Sequence, residues 1–243
     1  MEQAVCGVEI APIWQSIYED IRRRILCFEM LPGDILSENV LAAQMNVSRA
    51  PVREAMARLV EESYVIAYPQ RGTVVSLIDP ERVRQAVFLR SVLEHAAVDA
   101  LCHQGLLPEQ SVVLEDSLHR QRALLENQKI LEMLLEDDAM HHLLYEYTGK
   151  PYAEEAFRLL DSDQTRIRYL QMQTFSYNSR VQLSSMSGWE NCLLEHRMLL
   201  DAIKKGDAEA ACLINYNHIN ALLWNTENLQ KIYPQYFSES QPS

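Results

Sequence analysis

Apolar residues recur at helical spacing along nearly the whole of this chain, with one interruption. From Tyr64 to Leu77 the period drops to two. Tyr64 to Tyr68, then Pro69-Gln-Arg-Gly72, then Thr73 to Leu77, reads as a β-hairpin whose tip carries Arg71 and Gly72. Before it, Trp14, Ile17, Ile21, Ile25 and Phe28 advance by three or four residues, the mark of an amphipathic helix. Leu31-Pro-Gly-Asp34 ends that helix with turn chemistry. Ser37 opens a second, shorter helix through about Met45, and Asn46-Val47 turns into a third, headed by Ser48.

The order helix, helix, helix, hairpin is that of a winged helix-turn-helix with a two-stranded wing. A plain three-helix bundle accounts for the helices equally well, but not for the basic-tipped hairpin behind them. Residues 47–59 fit the recognition helix of such a module. Ser48 is a natural N-cap, and Pro51 lies in the first turn, where a missing N–H costs nothing. Val52, Ala55, Met56 and Leu59 form an inward stripe. Arg49 and Arg53, four residues apart, share one face near the N-terminal end, which in a recognition helix meets base edges and phosphates. An ordinary solvated charged face is the alternative for two arginines.

Charge narrows the DNA reading. The net charge is −12. Residues 1–79 hold 7 arginines against 11 carboxylates, and residues 80–243 hold 15 basic against 23 acidic groups. A protein of this balance has no general affinity for nucleic acid, so any DNA contact must come from a small focused patch. Hydrophobic residues at 48% and charged residues at 23% fit a soluble globular protein. No apolar run approaches the ~18 residues needed to cross a bilayer, so no membrane partner is expected. The first residues, with Glu2 and Glu9 and no basic group, do not resemble a secretion signal, which implies a cytoplasmic location. Five cysteines, Cys6, Cys27, Cys102, Cys192 and Cys212, include no C-x-x-C pair and read as reduced core thiols.

Asp79-Pro80 reads as an N-cap followed by a first helical residue and opens a second domain. Helical patterns run over about 80–104, 108–127, 129–147, 151–180, 187–205 and 207–230, separated by short loops with Gly105, Pro108, Gly149, Gly188 and Gly206. Long amphipathic helices joined this way make an antiparallel bundle. The fold class is therefore mainly α. The expected domains are a winged helix-turn-helix over 1–78, an all-α bundle over 79–235 and a frayed tail over 236–243.

Three of the bundle's stripes carry polar residues where their period calls for apolar ones. They read Leu134, Asp137, His141, Leu144; then Cys192, His196, Leu199, Ile203; then Ala211, Ile214, His218, Leu222. A carboxylate facing a core is expensive unless paired or bound to a cation. A divalent metal shared by Asp137, His141, His196 and His218 would satisfy all four, and imidazoles with one carboxylate suit Zn²⁺, Ni²⁺, Mn²⁺ or Fe²⁺. The alternative is a set of separately satisfied core histidines. His142 is the rival ligand, His95, His103 and His119 read as solvated or structural, and no cysteine shows metal-ligand spacing.

With these residues in view, the chain resembles the GntR-type transcription regulators, in the FadR subfamily with an FCD-type ligand domain, from about Ile17 to about Leu223. The N-terminal motif is Leu31-Pro-Gly-Asp-Ile-Leu-Ser-Glu38, Leu41-Ala42, Val47-Ser-Arg-Ala-Pro-Val-Arg-Glu-Ala55, Leu59 and Arg71-Gly72. Asp137-x-x-x-His141, His196 and His218 fall where that family places metal ligands, and Arg90-x-x-x-Glu94 is similar to the motif opening its ligand domain. Three positions depart from the pattern: Asn39 stands for a frequent arginine, Ser63 for a glycine and Lys150 for an asparagine.

The resemblance implies a homodimer that reads palindromic half-sites of double-stranded operator DNA. Ser48, Arg49, Pro51 and Arg53 would lie on the recognition helix, and Arg71 and Gly72 on the wing. It implies a metal-containing pocket for a small carboxylate effector, with Arg90 as the first choice of second anchor and Arg166 or Arg168 as rivals. For each arginine the alternative is an ion pair inside the bundle. The resulting expectation is a ligand-controlled repressor. Its rivals are a metal-dependent enzyme using the Asp/His site, and a regulator whose histidines satisfy one another around an apolar effector.

Overall fold

The computed structural model describes residues 12–69, 72–153, 158–176 and 188–239. They fall into two compact units that divide between Ser76 and Leu77.

The first unit holds helices α1 (Ile13–Leu26), α2 (Glu38–Met45) and α3 (Arg49–Glu61), and strands β1 (Ile35–Leu36), β2 (Val65–Tyr68) and β3 (Gly72–Val75). The helical stripes turn inward as their spacing requires: Ile17, Ile21 and Ile25 of α1 are buried with Val52, Ala55, Met56 and Leu59 of α3. Asn46 closes α2 in the left-handed conformation, φ 53°, which asparagine tolerates better than most residues. The expected two-stranded wing is three-stranded, in the antiparallel order β1-β3-β2. Leu31-Pro-Gly-Asp34 stops α1 as expected and also delivers β1. The Asp34 carboxylate accepts from the Leu31 N–H at 2.7 Å, and Gly33 N–H and Asp34 C=O pair with Val75. A two-residue strand has no alternation of its own to betray it, and only the partner strand makes it one.

The second unit contains α4 (Pro80–Gln104), α5 (Pro108–Glu126), α6 (Ile130–Tyr147), α7 (Arg158–Ser176), α8 (Gly188–Lys205) and α9 (Ala208–Ile232). Asp79 caps α4 by accepting from the Glu81 N–H, and Asp207 caps α9 by accepting from the Ala210 N–H. The expected 151–180 helix spans Arg158–Ser176 among the described residues, with Pro151 to Ala153 in a turn ahead of it. One core layer joins Val98 and Leu101 of α4, Leu144 of α6, Leu199 and Ile203 of α8 and Ala211 of α9. Cys27, Cys102, Cys192 and Cys212 form no disulfide among the described residues, and Cys6 lies outside them. The first residues of the expected tail are tied down: Ile78 N–H donates to Tyr236 C=O, Ser238 N–H returns to Ile78 C=O, and Phe237 is buried. Apolar burial of Phe237 and two backbone bonds outweigh the polar composition around them.

Ser63 adopts φ 63° just before β2. This left-handed conformation costs an ordinary residue about 1–2 kcal/mol and glycine very little. The bonds of Ser63 come from its backbone, the carbonyl accepting from the Ser76 hydroxyl at 2.8 Å and the N–H donating to Val60 C=O at 3.0 Å. Ser63→Gly should therefore stabilise the first unit by about 0.5–1 kcal/mol after the added flexibility of the unfolded chain is subtracted. A urea midpoint that falls in Ser63→Gly would contradict this account.

Candidate functional site

The N-terminal end of α3 presents its arginines to solvent. Arg49 and Arg53 are 57% and 65% exposed, and both reach the same Glu38 Oε2 of α2 at 3.4 Å. An exposed pair of this kind contributes ~1 kcal/mol at most, so phosphates or guanine edges displace it readily. Ser48 occupies the N-cap position in extended conformation, but its side chain makes no capping hydrogen bond. Pro51 sits in the first turn, as its chemistry requires. Gly72 begins β3 at φ 92°, where any side chain would be strained, while Arg71 lies outside the described residues. Asn39 is exposed one residue beyond Glu38.

In the second unit, the stripes of three helices deliver their polar members to one place. Asp137 and His141 come from α6, His196 from α8 and His218 from α9. His196 Nε2 lies 3.1 Å from Asp137 Oδ1 and 3.2 Å from His218 Nε2, and His218 Nε2 is 4.0 Å from the same carboxylate oxygen. The His141 ring centroid is 5.3 Å from those of His196 and His218. His142 is half-buried outside this group, and His95, His103 and His119 are exposed, as expected.

The outer nitrogens decide what the inner ones can be. His141 Nδ1 is bound to Glu94 Oε2 at 2.7 Å, His196 Nδ1 to Gln121 Oε1 at 2.8 Å, and His218 Nδ1 to Glu195 Oε2 at 2.8 Å. Each partner oxygen is an acceptor, so each Nδ1 donates outward and Nε2 is the ring atom left on the inner side. One donor atom each from Asp137, Cys192, His196 and His218 lies within 4.8 Å of the others, and His141 stands outside that group. The His141 Nε2 is buried with no hydrogen-bond partner among the described residues. Burial and the neighbouring His218 push the His196 imidazole down from its usual range, which keeps it neutral. Burial works against the Asp137 carboxylate, but Arg168 and His196 hold it well below the usual carboxylate range. Acceptors on the outer nitrogens are what metal-bound histidines ordinarily have. The residues fit a divalent metal.

The arginines expected near an effector divide. Arg90 and Arg168 line a cavity of about 280 Å³ together with Cys192, Glu195 and His218. Arg90 Nε donates to Glu94 Oε1 at 2.6 Å, while its Nη2 is buried with no partner. Arg168 is engaged by Asp138 at 2.6 Å and by Asp137 Oδ2, leaving Asp137 Oδ1 for the cluster. Arg166 is fully buried on Asp163 and Ser162 and does not line the cavity. Burial opposes the Glu94 carboxylate, yet Arg90 and His141 hold it down to about 2.

Three residues escaped the sequence reading of the site. Gln121 and Glu195 anchor two of the imidazoles, and nothing in their own spacing announces it. The third is Cys192, judged to lack metal-ligand spacing. It lies one helical turn before His196, and its Sγ is 3.6 Å from Asp137 Oδ1. The four-residue spacing on one stripe was the available signal.

A winged helix with exposed arginines, joined in one chain to a helical domain with a buried metal-type cluster, defines a DNA-binding transcription regulator. Comparison with known proteins agrees. Residues 14–75 match the family of bacterial regulatory proteins called gntR, and residues 85–221 match the FCD domain. The chain belongs to the GntR family of bacterial transcription regulators, with an FCD domain behind its DNA-binding module. It is 29% identical to the HTH-type transcriptional repressor RspR of Escherichia coli K12, over 94% of this chain and 95% of that one. It is 32% identical to an uncharacterized HTH-type transcriptional regulator in an unstable DNA locus of Streptomyces ambofaciens, over 92% and 89% of the two. The solved structure of E. coli McbR/YncC shares the fold, with TM-score 0.66 at 20% identity over 93% of this chain and all of that one. The family and these relatives are regulators of transcription, not enzymes, which removes the enzymatic alternative.

Glu94 is the single buried counter-charge touching both Arg90 and His141 among the described contacts. Glu94→Gln should cost about 3–5 kcal/mol, the scale for removing one partner of a buried ion pair. Chemical denaturation of the variant measures it, and an unchanged midpoint would contradict this placement of the charge.

Proposed function

We propose that this regulator is a homodimeric repressor of the FadR type, released from or set on its operator by a small carboxylate bound beside a divalent metal. The observation that carries the metal reading is the set of three imidazoles whose protonated nitrogens all face outward onto Glu94, Gln121 and Glu195. Asp137, His141, His196 and His218 would hold the ion, drawn from Zn²⁺, Ni²⁺, Mn²⁺ or Fe²⁺. When bound, it supplies a Lewis-acidic centre that attracts an anionic effector. Arg90, with one free guanidinium nitrogen on the same cavity, is the better second anchor. Arg168 serves by fixing Asp137 and contributes positive charge to the cavity wall.

On the DNA side, Ser48, Arg49, Pro51 and Arg53 form the reading edge, with Gly72 and Arg71 on the wing. A unit with an acidic balance needs two copies on a palindrome to reach useful affinity, because linked weak modules gain by effective concentration. An apolar stripe supports the second copy. Tyr216 and Trp224, 82% exposed, flank Asn220 on α9, which bonds Ser91 of α4 beside exposed Phe88 and Val92. Effector binding would change helix packing in the bundle and thereby the spacing of the two recognition helices.

Two measurements test this reading. Arg49→Ala and Arg53→Ala should abolish specific operator binding in a gel shift while the circular dichroism of the helices is kept; retained affinity would overturn the assignment. Elemental analysis of freshly purified protein should find one divalent metal per chain, lost in His196→Ala, with a lower melting temperature after chelation. Protein free of metal, with a melting temperature indifferent to chelator, would overturn the metal-centred reading.

A further inference from the structure

We propose that Cys192 is itself a metal ligand, giving this site a sulfur donor in addition to its imidazoles and carboxylate. The inference rests on the metal reading above and extends it to a residue outside the Asp/His set. Four ligand atoms lie within 4.8 Å of one another, and they come from Asp137, Cys192, His196 and His218. The thiol is buried, with Sγ 3.6 Å from Asp137 Oδ1 and 3.9 Å from His196 Nε2.

These separations have the size of the edges of a coordination polyhedron. Metal–sulfur bonds of ~2.3 Å and metal–nitrogen or metal–oxygen bonds of ~2.0 Å set tetrahedral edges at roughly 3.3–3.5 Å. The observed edges are 3.1 Å from Asp137 Oδ1 to His196 Nε2, 3.2 Å between the two Nε2 atoms, 3.6 and 3.9 Å to sulfur, and 4.0 Å from His218 to the carboxylate. Small side-chain rotations close the differences. His141, whose unpartnered Nε2 faces the same polar interior, stands at the rim as a further nitrogen donor.

A buried cysteine more often acts as a small apolar residue, and one side of Cys192 does pack beside Met133 and Trp189. That role leaves unexplained why the sulfur is turned to a carboxylate oxygen and an imidazole lone pair. On α8 the helical period explains it: Cys192 and His196 are one turn apart, so their side chains point to the same spot. On coordination the S–H bond breaks, the proton leaves to solvent and the thiolate electron pair forms the bond to the ion. A thiolate donor biases the site toward thiophilic ions such as Zn²⁺ and Co²⁺ and away from Mn²⁺.

Cobalt(II) tests this directly, because sulfur ligation adds a near-ultraviolet charge-transfer band to the visible ligand-field bands. Chelator-treated full-length protein titrated with Co²⁺ should show both sets, saturating together at one equivalent per chain. Cys192→Ser and Cys192→Ala should keep the visible bands and lose the near-ultraviolet one, with Zn²⁺ losing part of its advantage over Mn²⁺ in competition. Visible bands without the near-ultraviolet band in the unaltered protein, or a near-ultraviolet band that survives in both variants, would overturn the role of Cys192 and leave the metal reading standing. No uptake of Co²⁺ or Zn²⁺ would overturn both.

Discussion

Three imidazoles each bind an oxygen acceptor through Nδ1 and gather beside the buried Asp137 carboxylate. Much of the second unit is arranged to make them do so. Glu94, Gln121 and Glu195 take the Nδ1 protons, so every Nε2 turns inward. Arg168 holds one oxygen of Asp137 and leaves the other for the cluster. All six helices of the unit contribute a side chain to this arrangement, either in the cluster or on its outer partners. Buried polar groups are costly unless satisfied, so the packing of the bundle and the bracing of this cluster constrain each other.

The DNA-reading end follows a different physical logic. Arg49 and Arg53 are exposed and project from the first two turns of α3, and their partner Glu38 binds them only loosely. Nothing there is desolvated before DNA arrives. The acidic balance of the chain suppresses unspecific attraction to nucleic acid. The cluster of the second unit is buried and braced; the arginines of α3 lie on an open surface.

Much of this was legible in the sequence because periodicity reports which face of an element is buried. The inward stripe of α3 and the odd polar members Asp137, His141, His196 and His218 follow from it, and the Asp79 cap of α4 follows from capping chemistry. What escaped has no periodic signature. Strand β1 is two residues long and exists through its pairing with β3. Phe237 is one apolar residue in a polar tail, held in place by the bonds that its neighbours Tyr236 and Ser238 make with Ile78. Cys192 was read as an apolar member of its stripe, since a thiol suits a core as well as a metal, and its surroundings decide between them.

The sequence by itself therefore determined the elements and their buried faces: a winged helix with Arg49 and Arg53 on its outer edge, and a bundle with three stripes each carrying polar groups toward the core. It also carried the family resemblance that the comparisons bear out. Only the tertiary structure decided that Asp137, His196 and His218 meet, that Gln121 and Glu195 orient two of the rings, that Arg166 and Arg90 part ways, and that the Cys192 thiol lies beside the cluster. The physical reason is that a helical period specifies direction around one axis and says nothing about which other helix lies opposite. That is settled by packing all six together, at distances no single stripe encodes.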